Sequence, residues 1–168
     1  MLDEVFGAEN FVSLISVSKT TGATANYLAG ITDFILWYAK DYKGLKYHQL
    51  YSAKEVGGEG ATQYTRVEEI DGSRRNASEA ELSLRKSLPK GARFFRIDNM
   101  TSQRPPGSFP VTINGQQITP GKGYWKTGEI GMPRLARSSR LGLSGSTLTY
   151  IRYLEDFPVF PANNLWTD

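Results

Sequence analysis

The chain has 168 residues, no cysteine and a single histidine, and its formal net charge at pH 7 is +3. These counts exclude disulfides and thiolate-bound metals, and His48 alone argues against a zinc site or a His-centred catalytic nucleophile. No apolar run approaches the ~20 residues that span a bilayer and no secretory leader pattern is present, so we expect a cytoplasmic protein without a membrane partner.

The first part of the chain predicts one helix and two strands. Residues 2–10 have a helical pattern that closes at Gly7. Residues 11–17 and 33–40 are almost entirely apolar, which is typical of strands buried on both faces of a largely parallel sheet. A polar loop, Lys19-Thr20-Thr21-Gly22-Ala23-Thr24, follows the first strand. Two strands cannot cover their own apolar faces, so we expect them to need neighbours from elsewhere.

The composition changes at a Gly-rich joint, residues 55–61, and we place the domain boundary between residues 45 and 62. Ser78 and Glu81 form a capping-box pattern that opens a helix to Leu88. Asn114-Gly115 predicts a type I′ hairpin turn. The remaining predicted elements are short strands at residues 94–97 and 148–154 and a helix that Pro133 opens and that ends at Leu141.

Charge is unevenly distributed along the chain. Residues 1–60 have a net charge of −2, whereas residues 85–152 carry twelve bases against Asp98 and Glu129, a net charge of +10. A positive field on one region favours a polyanionic partner, because neutralising phosphates releases condensed counterions. The alternative is a solvated basic face without a partner.

Three segments of this basic region are candidates for binding. In residues 121–128, Lys122 and Lys126 alternate with aromatic rings between glycines, a pattern suited to phosphate contacts and to stacking by Trp125. The alternative is that Trp125 is a core residue. The arginines at positions 134, 137 and 140 recur every three residues and would share one face of a short helix. Asn99 begins a polar run able to read base edges, where Asn pairs with adenine.

Segments along most of the chain resemble the site-specific adenine DNA methyltransferases of restriction-modification systems, in particular the type III modification subunits. Two segments are similar to the catalytic domain, and several are similar to the target-recognition region. The former are Glu9-Asn10-Phe11-Val12 with the Lys19–Gly22 loop, and Asp33-Phe34-Ile35-Leu36-Trp37-Tyr38-Ala39-Lys40. The latter include Leu45-Lys46-Tyr47 to Tyr51, Leu88-Pro89-Lys90-Gly91-Ala92-Arg93, residues 95–103, residues 128–141, and Tyr150-Ile151-Arg152-Tyr153-Leu154-Glu155-Asp156-Phe157-Pro158 through Asp168.

The resemblance implies methylation of the adenine amine with S-adenosylmethionine in the full-length enzyme. The family's Pro-Pro-aromatic tetrapeptide, which holds the flipped base, has no match here, since Arg104-Pro105-Pro106-Gly107 lacks both the acceptor and the ring. The Gly-rich cofactor turn is also unmatched. We therefore assign no catalytic, cofactor or metal residue to this chain, and we expect an interior piece of a longer bacterial or phage enzyme that is inactive alone.

These observations predict an α+β fold. Residues 1–50 would be a helix and two strands of a Rossmann-like methyltransferase sheet, and residues 51–168 an inserted mixed α/β target-recognition domain with β-hairpins. The expected partners are double-stranded DNA and the rest of the methyltransferase, and the sequence leaves open whether a restriction subunit is a further partner. Alternatives are a stand-alone specificity module acting with a separate catalytic subunit, or a non-functional gene remnant. The predicted DNA contacts are Arg93, Arg96, Asn99, Lys122, Trp125, Lys126, Arg134, Arg137 and Arg140.

Overall fold

The computed structural model describes residues 1–19, 24–105 and 107–167. Strands account for 36% of it and helices for 14%. None of the helices among these residues is long and apolar enough to cross a membrane. In chain order the elements are α1 (Leu2–Phe6), β1 (Phe11–Ser18), β2 (Thr32–Tyr38), β3 (Tyr51–Ala53), β4 (Arg66–Glu68), β5 (Arg74–Asn76), α2 (Glu79–Leu82), β6 (Arg93–Asn99), β7 (Thr101–Ser102), β8 (Val111–Ile113), β9 (Gln116–Ile118), β10 (Tyr124–Trp125), α3 (Gly131–Arg137), β11 (Leu141–Ser144), β12 (Thr147–Tyr153), β13 (Val159–Pro161) and β14 (Leu165–Trp166).

The chain divides into two compact units. Unit 1 comprises Met1–Ser52 and Phe160–Asp168, and unit 2 comprises Ala53–Val159. The predicted boundary after residue 50 lies close to the first of these divisions, and the last residues, predicted to belong to the second domain, are grouped with unit 1. The functions assigned to the two predicted domains stay predictions.

The predicted α+β fold with a Rossmann-like sheet is wrong. In unit 1, β1 and β2 run antiparallel, with Leu14 opposite Leu36, and β1 has a parallel neighbour only in the short β14. The protein is mostly β, without helices packed on a parallel sheet. Apolar, β-branched runs are typical of central strands in either sheet type, and the direction of pairing depends on residues far apart in sequence. The two strands were predicted at the correct positions, but their pairing was not.

The expected burial of β1 and β2 on both faces is also wrong. Phe34, Ile35 and Leu36 are 64%, 44% and 51% exposed, and Ile15 is the buried residue of β1. The order of this sheet is β14-β1-β2, with no strand beyond β2 among the described residues. The apolar side chains of β2 lie on the surface of unit 1. The loop predicted after β1 falls largely on residues 20–23, outside the described residues.

Unit 2 is built on a five-stranded antiparallel sheet with the strand order β11-β12-β6-β4-β5. The sheet curls into a half-barrel. Phe95 lies opposite Tyr153 and Ile97 opposite Ile151. Because successive side chains of a strand point to opposite faces, these residues share one face of the sheet. Phe95, Ile151 and Tyr153 form a buried cluster there.

Two further clusters complete the interior of unit 2. One joins Ala61, Tyr64, Val67 and Phe94. The other joins Met100, Trp125 and Leu148 with Met132 of α3 and with Val111 and Ile118 of the β8–β9 hairpin. The second cluster fixes the places of α3, β10 and the end of β6, which carry the candidate site.

The local capping and turn predictions are confirmed. Ser78 and Glu81 form both hydrogen bonds of a capping box, although α2 ends at Leu82 and not at Leu88. β8 and β9 pair around Asn114 and Gly115, whose φ angles of 51° and 76° fit a type I′ turn. The helix predicted to end at Leu141 ends at Arg137, so Arg140 is not on its face.

Candidate nucleic-acid interface

A concave site of about 470 Å³ lies on unit 2 where β6, β12, β10 and α3 meet. We call it the cationic groove. Met100 and Leu135 contribute apolar surface, and Met100 belongs to the buried cluster beneath. The polar and charged residues that line it are Asp98, Asn99, Lys126, Thr127, Arg134, Tyr150 and Arg152. With three cations against one carboxylate, the groove has an excess of positive charge.

The pairing of β6 with β12 places three of these side chains together. Asp98 lies opposite Tyr150, and Arg96 lies opposite Arg152. Residues directly opposite in an antiparallel pair project from the same face, so all four side chains share the face opposite to the Phe95 cluster. Like charges in directly opposite positions repel each other, which means that Arg96 and Arg152 need an anion between them.

Asp98 supplies that anion. Its Oδ2 accepts hydrogen bonds from Arg96 at 2.9 Å and Arg152 at 3.0 Å, and its Oδ1 accepts from the backbone N–H of Asn99 at 3.0 Å. Partial burial alone would raise the pKa of Asp98. The positive charge of Arg96, the Asn99 N–H and the charge of Lys126 outweigh that effect and bring the pKa below its ordinary value. Asp98 is thus held ionised and keeps Arg152 in position.

Lys126 and Arg134 belong to the segment after β10 and to α3. The pairing of β10 with β7 and the Lys126 N–H to Met100 carbonyl bond of 2.9 Å fix Lys126 next to the end of β6. Arg134 lies on α3 and is exposed. Among the residues described by the structure, neither side chain forms an ion pair. Arg134 also lines a neighbouring hollow of about 750 Å³, where Glu129 is the other charged lining residue, so the excess of positive charge is confined to the groove.

The structure brings three of the nine predicted contact residues together in the cationic groove, namely Asn99, Lys126 and Arg134. Lys122 and Arg137 are exposed but are not among the residues that line it. Arg137 follows Arg134 by three positions on α3 and therefore lies on a neighbouring part of the same helix surface.

Three other predicted contacts are engaged in ion pairs within unit 2. Arg93 donates to Glu68 at 2.6 Å, and Arg96 donates to Asp98 and to Gln63. Arg140 makes a two-pronged ion pair with Asp156, and this contact raises the pKa of Arg140. Glu68 and Asp156 are 25 and 16 positions away from their arginines, so the spacing of the arginines alone did not reveal these two pairs, whereas Asp98 is only two positions from Arg96. Arg140 in particular stabilises the end of β12 and is not available to run along a helix face.

Trp125 is a core residue. Its side chain is 1% exposed, and its indole N–H donates to the Phe109 carbonyl at 2.7 Å. A buried ring in this position cannot stack on a base. The predicted DNA contact by Trp125 is therefore wrong, and the alternative prediction of a core residue is right.

Sequence reasoning missed Tyr150 and Arg152 as groove residues. A signal was present, since β12 alternates between buried Ile151 and Tyr153 on one side and Tyr150 and Arg152 on the other. This alternation places Tyr150 and Arg152 on one face of β12, but it locates the groove only when β6 is known to be the neighbouring strand. The residues of β12 do not encode that pairing.

No protein-family model matches the chain, and no curated protein matches it. The sequence resemblance implies S-adenosylmethionine as the cofactor of a full-length enzyme. The lining cations of the groove, Lys126, Arg134 and Arg152, outnumber Asp98 and are unfavourable neighbours for its positively charged sulfonium. We accordingly assign no methyl-transfer step to the residues of this site.

Proposed function

We propose that unit 2 binds double-stranded DNA through the cationic groove and the exposed surface of α3, as the DNA-recognition part of a site-specific adenine-N6 DNA methyltransferase. The observation that carries the proposal is the convergence of Asn99, Lys126, Arg134 and Arg152 in one concave site. The methyltransferase assignment draws on the sequence resemblance alone, and it no longer includes a Rossmann-like sheet. Methyl transfer would be carried out by another part of the enzyme, which would bind S-adenosylmethionine.

The distribution of charge supports a polyanionic ligand. In most of unit 2, arginines pair with acids, as in Arg75 with Glu69 and Glu81. In the groove, by contrast, Lys126 and Arg134 form no ion pair among the described residues, and Asp98 is the one carboxylate beside three lining cations. The cations that Asp98 does not neutralise repel one another, and a phosphate backbone would relieve that repulsion.

A stand-alone specificity module that works with a separate catalytic subunit is the second candidate. It is favoured by the location of all three buried clusters within unit 2. In that case the chain should be monodisperse when expressed alone. A gene remnant with the exposed apolar strands of unit 1 should instead aggregate.

The test is a fluorescence-anisotropy titration of the whole chain with a duplex of random sequence at several salt concentrations. We expect affinity to fall steeply as salt rises, because each phosphate contact releases counterions. Arg134→Ala should weaken binding to all duplexes and reduce the salt slope by about 1. Arg85→Ala is the matched control, because Arg85 is an exposed arginine outside the groove whose ion pair with Glu79 is also exposed.

Three outcomes contradict the proposal: no binding, binding that is insensitive to salt, or equal effects of Arg134→Ala and Arg85→Ala. Incorporation of labelled methyl groups from S-adenosylmethionine, assayed in the same samples, should stay at background. Measurable transfer would show that this chain holds a catalytic centre.

A further inference from the structure

Asn99 has a fixed amide orientation at the edge of the cationic groove. Its Oδ1 accepts hydrogen bonds from the backbone N–H and from the Oγ1 of Thr101, both at 2.8 Å. A backbone N–H can only donate, so the amide oxygen and not the nitrogen must face Thr101. Two bonds occupy both lone pairs of this oxygen. What Asn99 can offer a ligand is therefore its Nδ2 group, a pair of donors.

The other strong acceptors at this edge of the groove each accept at least one hydrogen bond already. Both oxygens of Asp98 accept bonds from Arg96, Arg152 and the Asn99 N–H. The Met100 carbonyl accepts the bond from the Lys126 N–H. Most of the charged and amide capacity left for a ligand is therefore donor capacity: the Asn99 Nδ2, the Lys126 ammonium and the guanidinium groups of Arg134 and Arg152, against one remaining lone pair each on Asp98 Oδ1 and the Met100 carbonyl. The Tyr150 and Thr127 hydroxyls can either donate or accept a hydrogen bond.

This polarity is unfavourable for adenine at Asn99. In the major groove, adenine presents N7 as an acceptor beside the N6 amine, which is a donor, so a side chain reading it must supply one group of each kind. At Asn99 the amine would face Nδ2, donor against donor. Guanine presents two acceptors, O6 and N7, and phosphate presents only acceptors.

Resting on the proposed DNA-binding function, we propose that the cationic groove takes clustered hydrogen-bond acceptors of DNA, supplied by the O6–N7 edge of guanine or by phosphate oxygens, and that Asn99 acts there only as a donor. The expectation that Asn99 pairs with adenine is thereby replaced. Arg134 supports the guanine source, since a free guanidinium pairs with O6 and N7 through two parallel bonds.

The test uses Asn99→Asp, which keeps the oxygen that binds Thr101 and replaces the donor group by a charged acceptor. Gln117→Glu is the matched control, because it makes the same amide-to-carboxylate change on the exposed β9, outside the groove. Both variants and the original chain are titrated with alternating d(GC), alternating d(AT), and d(GC) in which 7-deazaguanine replaces guanine. Circular dichroism verifies that each variant is folded.

Asn99→Asp should weaken binding about tenfold relative to Gln117→Glu. If guanine is the source, the original chain prefers d(GC) to d(AT), and the preference disappears with 7-deazaguanine and with Asn99→Asp. If phosphate is the source, the three duplexes bind equally, and Asn99→Asp weakens all of them to the same extent.

Two results overturn the inference while leaving DNA binding intact: equal affinities of Asn99→Asp and Gln117→Glu, or a preference for d(AT) that Asn99→Asp abolishes. Failure of the original chain to bind any duplex would instead remove the proposed function, and this inference with it.

Discussion

The guanidinium carbon of Arg93 lies 3.7 Å from the centroid of the Tyr153 ring. The two residues also share Glu68, because the Tyr153 hydroxyl donates to it at 2.7 Å and Arg93 donates to it at 2.6 Å. Glu68 is buried, and Arg74 is its third partner. A buried carboxylate is stable only when it is paired and hydrogen-bonded, so Arg93 serves the interior of unit 2.

We predict that Arg93→Ala lowers the free energy of unfolding by about 2 kcal/mol, because it removes a charge-assisted hydrogen bond and a cation–π contact. DNA affinity of the folded variant should change little. Arg134→Ala should show the reverse, with reduced affinity and almost unchanged stability. Urea denaturation and anisotropy titrations of both variants measure the two quantities. If Arg93→Ala lowered the affinity for DNA as much as Arg134→Ala does, Arg93 would belong to the DNA-binding surface and this prediction would be wrong.

Trp125→Phe should lower the free energy of unfolding and leave the DNA affinity of the folded protein unchanged. The change removes the indole N–H that donates to Phe109 and leaves a small gap in the cluster of Met100 and Met132. Together these losses should amount to about 2 kcal/mol in the free energy of unfolding. Denaturant titration provides the stability, and anisotropy well below the unfolding transition provides the affinity. Were Trp125 a stacking residue, affinity would fall even in fully folded samples.

Features determined by neighbouring residues could be predicted from the sequence. The capping box of Ser78 and Glu81 and the turn at Asn114 and Gly115 depend on bonds and φ angles within four residues, and the positions of β1, β2, β6 and β12 follow from local side-chain patterns. All of these were found at or near their predicted places.

Features determined by distant residues could not be predicted. Arg93 and its partner Glu68 are 25 positions apart, and Arg152 and Asp98 are 54 apart. Which arginines are neutralised therefore depends on the strand order β11-β12-β6-β4-β5, which no single segment encodes. The same holds for unit 1, where an apolar run suggested a parallel sheet and the structure shows an antiparallel pair. Three of the predicted contact residues, Asn99, Lys126 and Arg134, line the groove, and their contact with DNA stays a prediction. Tyr150 and Arg152 of β12 also line it and were not predicted.

Glu81 should make the stability of unit 2 depend on acid pH. Two hydrogen bonds from Arg75, aided by the Ser78 N–H, lower the pKa of Glu81 from 4.5 to about 2. A carboxyl group with a lowered pKa stabilises the fold fully above its unfolded value, and this contribution is lost as the pH falls through its folded value. We therefore expect the Glu81 contribution to be constant above pH 4.5 and to shrink between pH 4.5 and about 2.

The measurement compares Glu81→Gln with the original chain across this range. At neutral pH the variant should be less stable by about 2 kcal/mol, since it loses a charge pair on a buried carboxylate. The difference should narrow as the pH falls. Glu79→Gln is the control on the same helix, because Glu79 is 91% exposed. A stability difference for Glu81→Gln that does not vary with pH would exclude titration of this group as the cause.

Gly115→Ala tests whether the β8–β9 turn supports the core beneath the groove. Gly115 has a φ of 76°, and a Cβ added there would meet no atom within 4 Å, so the cost is backbone strain without a steric clash. We expect a loss of about 1 kcal/mol in the free energy of unfolding, because a left-handed conformation is unfavourable for alanine.

Gly128→Ala is the matched control. It also has open space around its Cβ but no positive φ, so it should be neutral or slightly stabilising. Because Val111 and Ile118 of this hairpin belong to the Trp125 cluster, Gly115→Ala should lower the stability of the unit as a whole and not only fray the turn. Hydrogen exchange at the Trp125 amide, compared between the two variants, separates these outcomes, and unchanged protection there would confine the effect to the hairpin.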